Sequence, residues 1–225
     1  MTCWRTCISC SLLLPLMAAA MARAQPSAQP ASNRSSAQPA SFDVLLDAFA
    51  RMPGLEARFV EEKHLALLVQ PLESRGRLFF AHPGLLLRRV EAPRRSDVVI
   101  TPTELRMKDA DGEQSIDLRS RNDIKPFVQS LTWLFAGDRK ALAEMYAIAF
   151  EPARDGAPWR VTLTPKNGPI ARLIRSIVMR GSGLAVSQIE VHETSGDETV
   201  TRILEANPAR HFTRDEMQTL FGVRP

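Results

Sequence analysis

Residues 75–93 read RGRLFFAHPGLLLRRVEAP, two apolar segments joined by His82, Pro83 and Gly84. The turn residues between two short apolar runs predict a β-hairpin. Strict alternation would leave one face of this hairpin polar, but large apolar side chains occupy both faces. Both faces therefore need cover. One can pack on protein, and the other must meet a helix, a partner or an apolar ligand.

The first 24 residues have the pattern of a secretory signal peptide. Arg5 gives a basic start, residues 8–20 are mostly apolar, and Ala22 and Ala24 supply small residues before a cleavage point. The apolar run is shorter than the roughly 20 residues that cross a bilayer, although a short retained anchor is the alternative. We therefore expect an exported, periplasmic protein whose mature chain begins at Gln25.

Cysteine usage and charge exclude several classes of protein. Cys3, Cys7 and Cys10 all lie in the predicted signal peptide, so the mature chain must fold on its apolar core without disulfides. Without Arg5 and Arg23 the chain holds 27 basic and 25 acidic residues, a net charge of +2. This near balance, with scattered basic residues, argues against nucleic-acid binding.

Composition and periodicity divide the rest of the chain. Residues 25–41, rich in Pro, Ser, Ala and Gln, predict a flexible linker, and residues 42–225 predict a single domain. A leading helix is predicted over residues 41–52, with Ser41 as its cap. Its apolar stripe fits either core packing or a lid over a cavity.

Two further helical regions are predicted in the domain. Residues 123–136 and 138–146 change to a helical period, and the first of these is too apolar for a surface helix. At the C-terminus, Thr213 and Glu216 form a capping-box pattern that predicts a last helix, ended by Gly222.

The remaining segments predict about eleven strands in two runs, separated by the helical insertion. The Asp-Gly pair at residues 111–112 is a strong hairpin signal. The predicted fold class is therefore α+β, with one large antiparallel sheet. Because so many twisted strands tend to curl, we expect an unclosed β-barrel whose concave apolar face is covered by helices.

The sequence contains no recognisable catalytic constellation. It has no HExxH, GxSxG or glycine-rich phosphate motif, and the mature chain lacks cysteine. None of the histidines pairs with another at ligand spacing, so no metal site is predicted; they are His64, His82, His192 and His211. We expect no cofactor and no enzymatic activity, and binding of an apolar ligand explains the surplus apolar surface. A dry, self-filled core and, more remotely, an enzyme are the alternatives.

Three segments resemble the LolA family of periplasmic outer-membrane lipoprotein carriers. They are ARFVEE at residues 57–62, GRLFFAHPGLLLR at residues 76–88 and VTLTPK at residues 161–166, and the resemblance covers about residues 42–205. In the family hairpin pattern, Gly76, Leu78, Phe79 and Pro83 match, as does the Leu-Thr-Pro-Lys segment at residues 163–166.

The resemblance implies an unclosed barrel whose hollow receives the acyl chains of lipoproteins. It also implies a monomer that accepts cargo from an inner-membrane exporter complex and passes it to an outer-membrane receptor lipoprotein. The alternative on the same fold is a periplasmic protein-binding or sensor module without lipid cargo.

The chain departs from the family pattern at two places. The family arginine before the hairpin proline, implicated in lid closure, is His82 here, and imidazole offers fewer donors and a charge that depends on pH. The hairpin positions after Pro83 are leucines at residues 85–87 instead of aromatic residues, which reshapes the predicted cavity wall. A divergent member handling another lipid would account for both.

We therefore predict that His82 controls the lid and that a set of apolar side chains forms the cavity wall. For each of them, plain core packing is an equally good interpretation. The wall candidates are Phe59, Leu78, Phe80, Leu85, Leu87, Val99, Leu131, Trp133, Val161, Leu163 and Val178.

Overall fold

The structure is a computed structural model that describes residues 38–121 and 125–223, without the side chains of residues 126, 127 and 131. The predicted signal peptide and residues 25–37 of the predicted linker lie outside this range. At the end of that linker, the side-chain oxygen of Gln38 accepts a hydrogen bond from the backbone N–H of Gly183 at 2.9 Å. The last linker residues are therefore attached to the fold.

The described residues form one antiparallel sheet of eleven strands with five α-helices and a short 3-10 helix at Leu118–Ser120. The helices are α1 (Phe42–Ala50), α2 (Lys125–Ala136), α3 (Arg139–Met145), α4 (Gly168–Ala171) and α5 (Arg214–Phe221). The strands are β1 (Gly54–His64), β2 (Leu72–Ala81), β3 (Leu85–Ala92), β4 (Ser96–Ile100), β5 (Glu104–Asp109), β6 (Gly112–Asp117), β7 (Tyr146–Glu151), β8 (Trp159–Pro165), β9 (Ile174–Ser182), β10 (Ala185–Glu193) and β11 (Glu198–Asn207).

The strand order is β6-β5-β4-β3-β2-β1-β11-β10-β9-β8-β7. Strands β1 and β11 pair in the centre, so the two halves of the chain meet there, and β6 and β7 form the two edges. The predicted α+β class and unclosed antiparallel barrel are confirmed. Strand β1 ends at His64, and the apolar residues that follow it form a loop.

The register of the β2–β3 hairpin separates its two apolar faces. Phe80 pairs with Leu86, which pairs with Ile100, and all three belong to one buried cluster. One residue back along β2, Phe79 starts a second row that continues through Leu87 and Val99 and lies in a different cluster. Successive side chains of a strand point to opposite faces, so the hairpin is buried on both sides, as the sequence predicts.

The inner face of the sheet is the one that packs against α1, α2 and α3. One cluster joins these helices to strands β7, β8 and β9 through buried residues that include Trp159 and Met179. The other joins α2 to strands β1 to β4 through Phe135 and Phe80. Because the same helices contact strands from both halves, the sheet curves around them.

The outer face of the hairpin is covered by the C-terminal helix. Phe221 of α5 is fully buried against the row formed by Phe79, Leu87 and Val99. The helix begins with the predicted capping box between Thr213 and Glu216 and ends at Gly222 in the left-handed conformation. The carbonyl of Phe221 accepts a hydrogen bond from Arg106 Nη2 at 2.8 Å. The terminal helix thus provides the cover for one of the two apolar faces.

The close approach of α1 and α2 depends on Gly137, which follows α2. Its φ is 71°, and a Cβ placed there would lie 2.7 Å from the Cβ of Ala50. Residues with a side chain rarely adopt this φ, and the space for a Cβ is already taken by α1. Glycine at this position therefore allows α2 to stop and the two helices to meet.

Candidate functional site: an apolar cavity under the helices

A cavity of about 280 Å³ lies between the helices and the inner face of the central strands. Its lining is almost wholly apolar. The lining residues are Phe49, Met52, Leu55, Ala57, Leu78, Phe135, Ser182, Leu184, Ala185, Val186, Ile189, Ile203, Ala206 and Pro208.

Small residues on the strands leave room for the cavity above the sheet. Ala57 lies on the inner face between Leu55 and Phe59, and Ala185 and Ala206 line the cavity from β10 and β11. A larger side chain at Ala57 would enter the space that Leu78 borders, since the two residues pair across β1 and β2. Alternation of large and small residues on these strands therefore leaves a hollow where uniform packing would fill it.

The roof of the cavity is aromatic. The rings of Phe49 in α1 and Phe135 in α2 lie 5.9 Å apart, and Phe135 is 5.2 Å from Phe80 of the sheet. These tilted contacts join both helices to β2 without any charged group. Breaking these ring contacts leaves no unsatisfied polar atom behind, because phenylalanine side chains carry none.

His82 links the β2–β3 turn to the segment that follows α1. Its Nε2 lies 2.9 Å from the carbonyl oxygen of Met52 and donates a hydrogen bond to it, since a carbonyl can only accept. Its ring also makes an edge contact with Phe80, at 5.0 Å between centroids. Met52 itself lines the cavity. His82 therefore lies beside the roof, where the sequence predicts lid control.

A hydrogen bond from Gln129 also holds α2 against the sheet. Its side-chain amide donates to the carbonyl of Pro102, in the β4–β5 turn, at 3.0 Å. The segment after α1 is therefore bonded to the β2–β3 turn through His82, and α2 is bonded to the β4–β5 turn through Gln129. Both turns lie at the same end of the sheet.

Of the predicted wall residues, Leu78 lines the cavity. Several others share the inner face but serve as core: Phe80, Val161 and Leu163 are buried in the clusters beneath the helices, and Trp133 packs at the edge of one of them. Phe59 is buried lower on β1, where the guanidinium of Arg88 lies 4.9 Å above its ring.

Four predicted wall residues lie on the outer face of the sheet, away from this cavity. Leu85, Leu87 and Val99 pack under α5 on the outer face. Val178 pairs with Thr162 and alternates with the inner residues of β9, so it also points outward. The apolar pattern alone could not tell which face the terminal helix would cover. The side chain of Leu131 lies outside the described residues.

The sequence prediction missed most of the residues that line the cavity, because it weighed large apolar side chains on the hairpin. The floor from β10 and β11 includes Ile189, which lies between Gln188 and Glu190, and Ile203, which is followed by Leu204. The alternation of apolar and polar residues around Ile189 was the available signal. Nothing in the sequence around the small residues Ala57 and Ala206 indicated that they would line a cavity.

Two larger depressions on the surface differ in chemistry from the apolar cavity. One, of about 470 Å³, is lined by charged residues that include Glu56, Arg77 and Glu205. The other, of about 560 Å³, lies beside Glu61, Glu73 and neighbouring residues. Their charged walls are solvated, so neither can hold an apolar group out of water.

The register brings together one group of possible metal ligands that the sequence prediction overlooked. Glu190, His192 and Glu198 place ligand atoms within 4.8 Å of one another, because Glu190 and His192 share a face and His192 pairs with Glu198. Arg180 Nε donates to the carboxylate of Glu190 at 2.9 Å, and this bond holds the pKa of Glu190 below its ordinary value. The carboxylate also accepts from Gln188, so we assign no ion here.

Among residues 38–121 and 125–223, no helix is both long and apolar enough to cross a membrane. A sequence model of a family described as "Outer membrane lipoprotein carrier protein LolA-like" matches residues 34–220, which is most of the chain. The chain belongs to the LolA-like family. A comparison with curated proteins gave no match.

Solved structures with a similar backbone share little sequence with this LolA-like chain. A DUF1329 family protein from Desulfovibrio piger is 11% identical, with a TM-score of 0.46, covering 80% of this chain and 96% of its own. A LolA superfamily protein from Nitrosomonas europaea is 10% identical, with a TM-score of 0.45, covering 80% and 97%. The MucA/MucB complex of Pseudomonas aeruginosa contains a chain that is 12% identical, with a TM-score of 0.43, covering 79% and 60%.

Proposed function

We propose that this LolA-like protein is a periplasmic carrier that shelters the acyl chains of a lipoprotein or a related lipid. The observation that supports this is the apolar cavity between the inner face of the sheet and helices α1 and α2. Removing apolar surface from water contributes about 25 cal/mol per Å², so an acyl chain gains by entering such a space.

The size of the cavity argues for a movable roof. About 280 Å³ lies at the lower end of the range for ligand sites, so the closed form holds only part of a long acyl chain. A longer chain requires α1 and α2 to shift. The roof is held to the sheet by aromatic contacts of Phe49 and Phe135 and by two hydrogen bonds, from His82 and from Gln129, which suits displacement by an apolar ligand.

Transfer in this proposal needs no covalent chemistry, so the protein acts as a carrier and not as an enzyme. A monomeric chain would receive cargo from an inner-membrane exporter complex. It would release that cargo to an outer-membrane receptor lipoprotein that binds acyl chains more tightly. Binding alone then sets the direction, because cargo moves toward the partner with the lower free energy.

A cavity-filling substitution tests the proposal. Ala57→Phe places a ring in the floor of the cavity, while Ala147→Phe makes the same change at an exposed position on β7. We expect the first variant to lose copurified lipid, measured by native mass spectrometry, and the second to keep it. Because Ala57→Phe can overpack, its melting temperature is measured beside that of Ile203→Phe, a milder filling variant.

Two results would oppose the carrier. Lipid that stays bound at the same stoichiometry in both filling variants would show that the cavity is not the binding site. A lipid-free native chain, recovered with a stoichiometric protein partner, would support the protein-binding module instead.

A further inference from the structure

The connection between β1 and β2 exposes a run of apolar side chains at one end of the sheet. Residues 65–71 read LALLVQP and contain no charge. Leu67 is 97% exposed, Leu68 49% and Val69 102%. Scattered exposed apolar side chains are ordinary on protein surfaces, but three consecutive ones at the tip of a loop usually have a function.

The loop is held in place and presents this tip. The backbone N–H of Ala66 donates to Asp197 Oδ1 in the β10–β11 turn at 2.9 Å. Within the loop, the N–H of Leu68 donates to the carbonyl of Leu65, also at 2.9 Å. Two hydrogen bonds therefore fix the base of the loop while the side chains of the tip face outward.

The neighbouring loop adds a further apolar residue and two cations. Thr194, in the turn that holds Ala66, bonds through its N–H and hydroxyl to the carbonyls of Leu173 and Arg172. Leu173 is 50% exposed. Arg172 and Arg175 on either side of it are exposed, and neither makes an ion pair with any residue that the structure describes.

The strand connections at this end of the sheet carry more basic than acidic side chains. Its five strand connections hold four basic and two acidic side chains. Of the acidic ones, Asp111 pairs with Arg94 at 3.2 Å and Asp197 accepts from the apolar loop. The connections are residues 65–71, 93–95, 110–111, 166–173 and 194–197.

The shape of the apolar tip favours a bilayer over a folded protein partner. A stable protein interface buries about 800 Å² on each side, which three side chains on a protruding loop do not supply. A bilayer needs no complementary shape: leucine and valine enter the acyl region, and arginines contact the phosphates. An apolar tip flanked by unpaired guanidinium groups has both features.

We propose that this end of the sheet docks on an anionic lipid surface, with Leu67, Leu68 and Val69 inserted and Arg172 and Arg175 at the headgroups. The cavity opens near the opposite end of the strands, where Ser182, Leu184 and Pro208 line it. Docking is therefore independent of cargo binding, and the two can be tested separately.

The test measures cosedimentation with vesicles of phosphatidylglycerol and phosphatidylethanolamine, and with vesicles of phosphatidylcholine. The chain from Gln25 onward is used, so that the apolar N-terminal segment cannot itself bind the vesicles. It keeps the core, because every buried hydrophobic side chain described lies between Phe42 and Phe221. We expect binding to the anionic vesicles that weakens with salt. Leu67→Ser combined with Val69→Ser should lower the partition coefficient at least about tenfold.

The matched control is Val44→Ser combined with Leu204→Ser, which removes two exposed apolar side chains elsewhere and should bind like the wild type. Arg172→Gln with Arg175→Gln should weaken binding to anionic vesicles and flatten its salt dependence. Ala57→Phe should bind vesicles normally even if it loses cargo. The proposal is overturned if the wild type stays in the supernatant, if the loop variant binds unchanged, or if the arginine variant keeps the wild-type salt dependence.

Discussion

The Nε2 atom of His82 donates a hydrogen bond to the carbonyl oxygen of Met52, 2.9 Å away, and so joins the β2–β3 turn to the end of α1. Both the neutral Nε2–H tautomer and the imidazolium can donate this bond. Protonation alone therefore leaves it in place, and the pH sensitivity expected from an imidazole would need a second group.

Substitution of His82 tests this link. His82→Leu keeps an apolar side chain beside Phe80 but removes the donor, which leaves the carbonyl of Met52 without this partner and should cost about 1 kcal/mol of stability. We expect faster exchange of a fluorescent lipid between the protein and liposomes, since the roof loses a restraint. His211→Leu, at an exposed histidine, is the control. Equal exchange rates in the two variants would count against lid control by His82.

Gly137 provides a test of the helix contact. Gly137→Ala should destabilise the protein by about 1–3 kcal/mol, because the new Cβ meets Ala50 and because φ is positive. Gly156→Ala isolates the backbone effect, since Gly156 has a φ of 80° and no atom lies within 4 Å of the added Cβ. Urea denaturation of both variants measures the difference.

Adding Ala50→Gly to Gly137→Ala removes the opposing methyl group and should recover part of the lost stability beyond the effect of each single change. The same loss for Gly137→Ala and Gly156→Ala would mean that the helices can separate without cost.

The C-terminal helix should contribute strongly to stability through Phe221. Phe221→Ala empties a fully buried site against the outer row of the hairpin, so we expect a loss of about 3–5 kcal/mol in guanidinium denaturation. Leu204→Ala, at an exposed leucine, should change stability by no more than about 0.5 kcal/mol. A loss as small for Phe221 as for Leu204 would show that α5 does not need its anchor.

Tyr146 gives a prediction at alkaline pH. Burial in the inner cluster raises the pKa of this phenol above its ordinary value of 10.0. Between the two values the unfolded chain has lost a proton that the folded chain keeps, so stability should fall as pH rises above about 10. Tyr146 is the single tyrosine of the chain, so the ultraviolet absorbance of phenolate reports on it alone.

Tyr146→Phe is the control for this measurement, because it removes both the phenolate signal and its share of the alkaline destabilisation. Ionisation of the folded protein at the ordinary pKa of tyrosine would contradict the prediction.

Local chemistry made most of the secondary structure predictable. Ser41, Thr213 and Gly222 cap helices as expected, and the Asp-Gly turn joins β5 to β6. Each of these signals acts within a few residues, so no knowledge of the tertiary fold is needed.

The cavity was much less predictable, because it depends on which face of each strand the helices cover. Residues 85–87 are all leucine, so their sequence pattern is the same. Nevertheless Leu86 lies under α2, whereas Leu85 and Leu87 lie under α5. That choice is made by the docking of a helix more than 120 residues away. The space around Ala57 arises because its side chain is small, and a pattern of large apolar residues does not reveal such a position.

The strand order places β6 and β7 at the two margins of the sheet, each paired on one side within the described chain. In a closed barrel every strand is bonded on both sides, so its girth is fixed by the hydrogen-bond network. With a seam left open, the curved sheet can widen or narrow without breaking a backbone bond. The volume beneath the helices is then governed by side-chain packing, and it can change while every backbone hydrogen bond of the sheet stays in place.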